Sequence, residues 1–209
     1  MNLAALQFDE DKHEYRLDGR VVPGVTTILK PISEAEYRHV DAATLDVAAW
    51  RGRAVHKLIE LDLRDDLDVD GLSDELLPFH TAWRNFRNLS GFKCLLSEAR
   101  VYSERYGYAG TLDLFGRLDG EAALIDAKRT VAVPRSVGPQ TAGYEQAVRE
   151  SHPDAVAQCA SGPGDGRINR YALHLRADGS WRLVPKTDPN DARVFLAALT
   201  LHNYLEEAA

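Results

Sequence analysis

Residues 107–130 have the sequence GYAGTLDLFGRLDGEAALIDAKRT. Two apolar runs flank the dipeptide Asp119–Gly120, which is typical of the turn of a β-hairpin. The first run contains Asp113 and the second contains Asp126, and Lys128 follows two residues later. Because alternate residues of a strand project from the same face, we expect Asp126 and Lys128 to lie side by side.

Two explanations account for charged residues in this hairpin. They could lie on a solvated face, or they could bind a metal ion that activates a water molecule. Hairpin geometry can bring Asp113 beside Asp126, and adjacent carboxylates repel each other unless a cation or a proton lies between them. The apolar residues before Asp126 and on both sides of Asp113 favour the second interpretation.

The remaining sequence predicts one α/β domain, with a small central mixed β-sheet flanked by helices. Residues 1–40 are expected to form a β-rich N-terminal segment, and residues 41–209 the catalytic core. The predicted core elements, in chain order, are helices over 41–64 and 75–89, strands over 95–103, 110–117 and 122–128, a helix over 139–151, a hairpin over 168–176 and 180–184, and a helix over 190–207.

Turn and loop residues organise the remainder of the chain. A hairpin is expected over 13–22, turning at Asp18–Gly19, and a β-rich run over 22–29, ending at Pro31. The acidic stretch 65–74 and the sequence SGPGDG at 161–166 are expected to be loops.

Composition limits the class of protein. The chain has 209 residues and a net charge of −7, and it has no apolar run long enough to span a membrane. The first residues lack the basic and apolar regions of a signal peptide. Cys94 and Cys159 are the two cysteines, so we expect a reducing, cytoplasmic setting and no four-cysteine zinc or iron–sulphur site within this chain.

Two predicted helices carry further candidates. Gly52 and His56 are four residues apart, so they share one helical face, and a glycine within a helix predicts that something approaches it closely. A single histidine on a helix is more often structural than a ligand. Gln140 and Tyr144 are also one turn apart and form either an ordinary polar stripe or a pair that meets a phosphate or a base.

Glu98 lies on the strand that precedes Asp113. It could serve as a third carboxylate or pair with a nearby arginine. Six basic residues could line a path for the phosphates of a nucleic acid, although each of them alone could equally be an ordinary surface charge. They are Arg51, Arg53, Lys57, Arg100, Arg129 and Arg135.

In chain order the candidates are Gly52-x-x-x-His56, Glu98, Gly110-x-x-Asp113, Asp126-x-Lys128 and Gln140-x-x-x-Tyr144. This ordered set resembles the PD-(D/E)XK nuclease superfamily, in particular its RecB-like and phage exonuclease branch. Each motif is short, but the whole set at these spacings is specific, and it covers residues 52–144. The resemblance implies a restriction-endonuclease-like core.

The resemblance also implies a role for each matched residue. Asp113, Asp126 and His56 would be ligands of Mg²⁺ or Mn²⁺, Lys128 would be the catalytic lysine, and Glu98 would be a less constant catalytic acid. Gln140 and Tyr144 would contact DNA near the cut.

The function implied by the resemblance is a stand-alone, metal-dependent DNA exonuclease of DNA recombination or repair. Its substrate would be linear DNA, with a single-strand annealing protein or a helicase as a candidate partner. The alternatives are a structure-directed endonuclease and a non-catalytic protein that binds DNA ends. No recognition domain is evident, which favours an exonuclease over a sequence-specific endonuclease.

Overall fold

The computed structural model describes residues 5–10, 12–160 and 166–207. The N-terminal segment contains a three-stranded antiparallel sheet and two helices: β1 (Leu6–Asp9), β2 (Glu14–Leu17), β3 (Arg20–Val22), α1 (Val25–Ile28) and α2 (Lys30–Tyr37). The predicted hairpin is confirmed. Asp18 and Gly19 have φ angles of 48° and 78°, as a two-residue turn that matches the twist of its strands requires.

The predicted β-rich run over 22–29 is wrong, because Val25–Ile28 is helical. Pro31 does not end an element there but lies in the first turn of α2. Proline is tolerated at that position because the first N–H groups of a helix have no intrahelical acceptor. The two short helices therefore lead the chain from the small sheet towards the core.

The core follows the predicted order with one additional helix. Its elements are α3 (Ala42–Leu63), α4 (Leu77–Leu89), β4 (Lys93–Ser103), β5 (Tyr108–Leu118), β6 (Glu121–Lys128), α5 (Val137–Ser151), α6 (Pro153–Ala160), β7 (Ile168–Leu175), β8 (Trp181–Pro185) and α7 (Asp191–Glu207). Helix α6 and strand β1 were not predicted. Residues 64–76 form turns and a loop, as the acidic composition indicated. The loop expected at 161–166 lies largely outside the described residues.

The five core strands form one mixed sheet in the order β4-β5-β6-β7-β8. Strand β6 pairs in parallel with β7, and the other neighbouring strands are antiparallel. The parallel pair requires a crossover, which α5 and α6 supply. This arrangement confirms the predicted α/β class with a small mixed sheet flanked by helices.

Helices cover both faces of the sheet. One face packs on α1, α5 and α7 through a core that includes Leu112, Leu124 and Phe195. The other face packs on α3 and α4 through a core that includes Leu114, Ile125 and Trp83. Within the part of the chain that the structure describes, no helix is both long enough and apolar enough to cross a membrane.

Candidate metal centre

Three side chains from three elements meet beside the sheet. His56 lies on α3, Glu98 on β4 and Asp113 on β5. His56 Nδ1 lies 3.3 Å from Glu98 Oε1 and 3.5 Å from Asp113 Oδ1, and one ligand atom from each residue falls within 4.8 Å of the others. Ligands that share one ion lie about this close together, because each ligand atom is roughly 2.0–2.6 Å from the metal.

The strand register brings the two acids together. Ser97 pairs with Leu114 and Ala99 with Leu112, so Glu98 lies across from Asp113. Glu98 has a φ angle of 48°, which is left-handed and uncommon for a residue without the freedom of glycine. Such a conformation costs about 1–3 kcal/mol and persists only where the surrounding structure imposes it, most often at functional sites.

Strand β5 changes face at Asp113. Leu112 packs in the core on the α5 side, whereas Leu114 packs in the core on the α3 side. Residues two apart on a regular strand would share a face. The pairing of β5 with β6 begins at Leu114 and Ile125. Beyond that point, Asp113 Oδ2 accepts a hydrogen bond of 2.7 Å from the N–H of Ala127. The carboxylate thus bridges the two strands while its other oxygen faces His56.

Asp126 and Lys128 lie side by side, as their spacing predicted. Lys128 Nζ is 2.7 Å from Asp126 Oδ2. Ile125 and Ala127 point to the opposite face, into the core under α3 and α4. Asp126 is 1% exposed, and its Oδ1 is a buried atom without a hydrogen-bond partner among the described residues.

An unpartnered oxygen on a buried carboxylate is costly, and a cation beside it would remove that cost. The donor set therefore fits a hard divalent ion that accepts carboxylate and imidazole ligands, such as Mg²⁺ or Mn²⁺. His56, Glu98 and Asp113 form the tight cluster, and Asp126 adjoins it across the β5–β6 pair.

Electrostatics hold His56 positively charged when no metal is bound. Burial lowers the pKa of His56, but the charge of Asp113 and the hydrogen bond to Glu98 outweigh it and raise the pKa to about 9. A metal ion that binds this ring nitrogen must displace a proton at neutral pH.

The two hairpin acids and the lysine influence one another. Burial raises the pKa of Asp126 to about 6, against the opposing charge of Lys128. Burial also raises the pKa of Asp113, although His56 and Lys128 both lower it. Burial disfavours the charged form of Lys128, yet Asp126 and Asp113 outweigh it and raise the lysine pKa. Lys128 is therefore a permanent cation at neutral pH and can donate hydrogen bonds but cannot accept a proton.

The expected close approach at Gly52 is not found. Apart from its chain neighbours and the backbone of its own helix, no described atom lies within 4 Å of the position that a Cβ of Gly52 would take. Gly52 instead lines an open cleft together with His56 and Lys128. Gly52 and His56 therefore do share a helical face, as their spacing predicted, but no close contact explains the glycine.

The close approach occurs at Gly110. A Cβ on Gly110 would come 2.5 Å from a ring carbon of Tyr144. Tyr144 is 4% exposed and its hydroxyl is hydrogen-bonded to the side chain of Gln140. The predicted pair on α5 is therefore close to the hairpin, and Tyr144 packs against the strand that carries Asp113.

The N-terminal segment contributes contacts that no sequence motif indicated. Glu36 on α2 accepts hydrogen bonds from the N–H groups of Arg135 and Ser136 at 2.6 Å and 3.1 Å, and from the Ser136 hydroxyl at 2.6 Å. A carboxylate there satisfies free N–H groups at the start of α5. Tyr37, the next residue, lines the cleft beside Lys128. Both residues were missed because α2 was not predicted.

A scan of the sequence against models of protein families finds no match. A search of curated proteins also finds none. The interpretation of the site rests on its own geometry and on the ordered motifs of the sequence.

Proposed function

We propose that this chain is a divalent-metal-dependent nuclease that hydrolyses phosphodiester bonds in DNA, acting as an exonuclease of recombination or repair. One observation carries the proposal. A cluster of His56, Glu98 and Asp113 adjoins the buried Asp126 and its partner Lys128, and His56 and Lys128 line an open cleft. The resemblance of the ordered motifs to the PD-(D/E)XK superfamily supports the same conclusion.

The proposed roles follow from charge and position. His56, Asp113 and Asp126 would hold the ion, and Glu98 would complete or orient the ligand set. A bound divalent ion would supply Lewis acidity and a water molecule of lowered pKa. Lys128 keeps its proton and lies next to a ligand carboxylate, so it would donate hydrogen bonds to the attacking water or to charge that develops on the phosphate.

Gln140 and Tyr144 have supporting roles in this proposal. Gln140 is only partly buried and is the member of the pair that can reach a substrate. Tyr144 is buried and fixes the position of α5 against β5. DNA contact by this pair would therefore be made chiefly through Gln140.

The test is a digestion of end-labelled linear duplex and closed circular DNA with Mg²⁺ or Mn²⁺, each with and without excess chelator. We expect mononucleotides from linear DNA alone and no cleavage in chelator. Undiminished cleavage in chelator, or no cleavage of any DNA, would overturn the proposal. Cleavage of the circle would keep the hydrolase but replace the exonuclease with an endonuclease.

A further inference from the structure

A cleft of about 860 Å³ opens from the candidate metal centre. Its lining comes from α3, from the end of β6 and the residues that follow it, and from Tyr37 of α2. Its volume is near the upper end of the range of pockets that enclose small ligands, roughly 300–1,000 Å³. His56 and Lys128 belong to its lining, so a chain bound in the cleft would reach the site of the proposed chemistry.

The charged side chains of this lining are basic. Among the described residues that line the cleft, none is a carboxylate, and the basic ones are Arg51, His56, Lys128 and Arg129. This composition contrasts with the net charge of −7 of the whole chain. His56 and Lys128 pair with the acids of the metal centre, so the positive charge that is complementary to a polyanion comes from Arg51 and Arg129.

Arg51 and Arg129 lie near each other at this cleft. Burial lowers the pKa of Arg129, and the charge of Arg51 lowers it further. Glu75 forms an ion pair with Arg51, while Arg129 Nε is buried without a hydrogen-bond partner among the described residues. The Arg129 guanidinium lies over the ring of Phe79, 5.2 Å from its centre. Two arginines near one carboxylate leave positive charge that a phosphate can neutralise.

The rest of the lining is largely apolar and accessible. Val47 is 48% exposed, and Val40 and Val131 are also exposed. The ring of Tyr37 is half-buried beside them. A paired duplex hides the faces of its bases and offers phosphates and groove edges, so an apolar wall gains nothing from it. Unpaired bases expose the faces that such a wall and an aromatic ring can cover.

We propose that this cleft binds an unpaired DNA strand, with a base against Tyr37 and the apolar side of α3, and with phosphates at Arg51 and Arg129. The inference deepens the proposed function and rests on it, since it places a frayed or single strand at the metal centre. Tyr37 acts as a binding residue for the base, and the two arginines act as binding residues for the backbone.

The first test measures binding without cleavage, in Ca²⁺, with a single-stranded oligonucleotide whose terminal base is 2-aminopurine. Stacking on an aromatic ring contributes about 1–3 kcal/mol per base, so Tyr37→Ala should weaken binding about 5- to 150-fold and abolish the quenching of fluorescence. Tyr37→Phe keeps the ring and should behave as the parent does. Tyr204→Ala is the matched control, because Tyr204 is an exposed tyrosine on α7.

A second substrate separates stacking from misfolding. An oligonucleotide with abasic sites at the terminal positions offers no base to stack. Tyr37→Ala and the parent should bind it within about twofold of each other. Equal losses on both oligonucleotides, or no loss on either, would overturn the role of Tyr37.

The arginines are tested by the salt dependence of the same binding. Removing one phosphate contact should lower the slope of log affinity against log salt by about 0.7 for a single strand. We expect this change for Arg129→Gln and for Arg51→Gln, but not for Arg182→Gln, which alters an exposed arginine on β8. An unchanged slope in both cleft variants would overturn the phosphate subsite.

Failure of this inference can be told from failure of the proposed function. If the parent protein cleaves DNA but binds a sealed hairpin duplex as tightly as a single strand, the inference fails and the nuclease stands. If the parent binds the strand as described but cleaves no DNA in Mg²⁺ or Mn²⁺, the strand-binding cleft stands and the nuclease fails.

Discussion

Lys128 is the residue whose role in chemistry can be separated from a role in binding. Its ammonium contacts a buried carboxylate, and its side chain, which is 20% exposed, lines the cleft. Because it would act on the attacking water or on charge that appears in the transition state, Lys128→Ala should bind linear DNA in Ca²⁺ within a few-fold of the parent. Single-turnover cleavage in Mg²⁺ should be at least ~100-fold slower.

Lys93→Ala provides the control for this prediction. Lys93 is an exposed lysine at the start of strand β4, where it pairs in register with Arg117. Its loss should leave both binding and cleavage unchanged. Normal cleavage by Lys128→Ala would make Lys128 a structural partner of Asp126 and would remove it from the mechanism.

His56 gives the metal-free protein a defined pH dependence of stability. The folded-state pKa is about 9, above the ordinary value of 6.5. Because folding raises the pKa of this base, protonated His56 stabilises the folded state. This stabilisation is fully present below pH 6.5 and is lost as the pH rises through 9. In chelator, the free energy of unfolding should fall over this window by up to about 3 kcal/mol, since one pKa unit corresponds to 1.36 kcal/mol.

Urea denaturation at several pH values between 6 and 9.5 checks this expectation. The decline should disappear in His56→Gln and remain in His39→Gln, which alters an exposed histidine. A decline that is identical in the parent and in His56→Gln would show that His56 is not held protonated by Glu98 and Asp113.

Two glycines on different elements should respond in opposite ways when alanine replaces them. Gly110 on β5 has the Tyr144 ring where a Cβ would lie, whereas the space around Gly52 on α3 is open. Gly110→Ala should therefore destabilise the protein by about 1–3 kcal/mol through overpacking. Gly52→Ala should stabilise it by about 0.5–1 kcal/mol, because alanine favours a helix over glycine.

Both glycine variants are compared by their unfolding midpoints in urea at fixed pH. If Gly110→Ala were as stable as the parent, Tyr144 could not be packed tightly on β5. A destabilised Gly52→Ala would indicate a contact at α3 that the structure does not contain.

The sequence predicted the elements whose periodicity is strong. The long helix α3, the hairpin β5–β6 and the closing helix α7 were located to within a few residues, because apolar spacing and the Asp119–Gly120 turn determine them. The region around Pro31 was predicted wrongly, since a β-branched run before a proline resembles a strand that ends there. The left-handed backbone of Glu98 could not be predicted, because the local sequence contains no glycine or turn signal at this position.

At the scale of the whole molecule, the N-terminal segment belongs to the site. The N–H of Ala109 on β5 donates to the carbonyl of Pro23, and the Tyr15 hydroxyl lies 2.9 Å from Thr111 Oγ1. These contacts join the small sheet to the strand that carries Asp113, while Glu36 on α2 holds the start of α5. The N-terminal segment and the core are therefore in contact, and both contribute residues around the candidate metal centre.

Part of the candidate site was predictable. The spacing of Asp126 and Lys128 places them on one face of a strand, and hairpin geometry brings Asp113 beside Asp126. The position of Glu98 within the His56–Asp113 cluster was an open alternative that only the strand register resolved. The cleft was beyond prediction, since its walls come from α2, α3 and the residues after β6, which are distant in the sequence.

Calorimetric titration with Mn²⁺ tests the central claim most directly, namely that these residues form a divalent metal site. The comparison uses the parent, Asp113→Asn and Asp70→Asn. Asparagine keeps an oxygen that can accept the N–H of Ala127, so Asp113→Asn removes the charge without removing that bridge. Asp70 is an exposed acid of the loop after α3 and serves as the control.

We expect the parent and Asp70→Asn to bind Mn²⁺ equally, and Asp113→Asn to bind at least ~10-fold more weakly, since even a residue that only supports a ligand contributes about that much. We also expect binding at pH 7 to release protons, because His56 must lose its proton. A parent protein that binds no Mn²⁺, or an Asp113→Asn variant with the affinity of the parent, would contradict the claim.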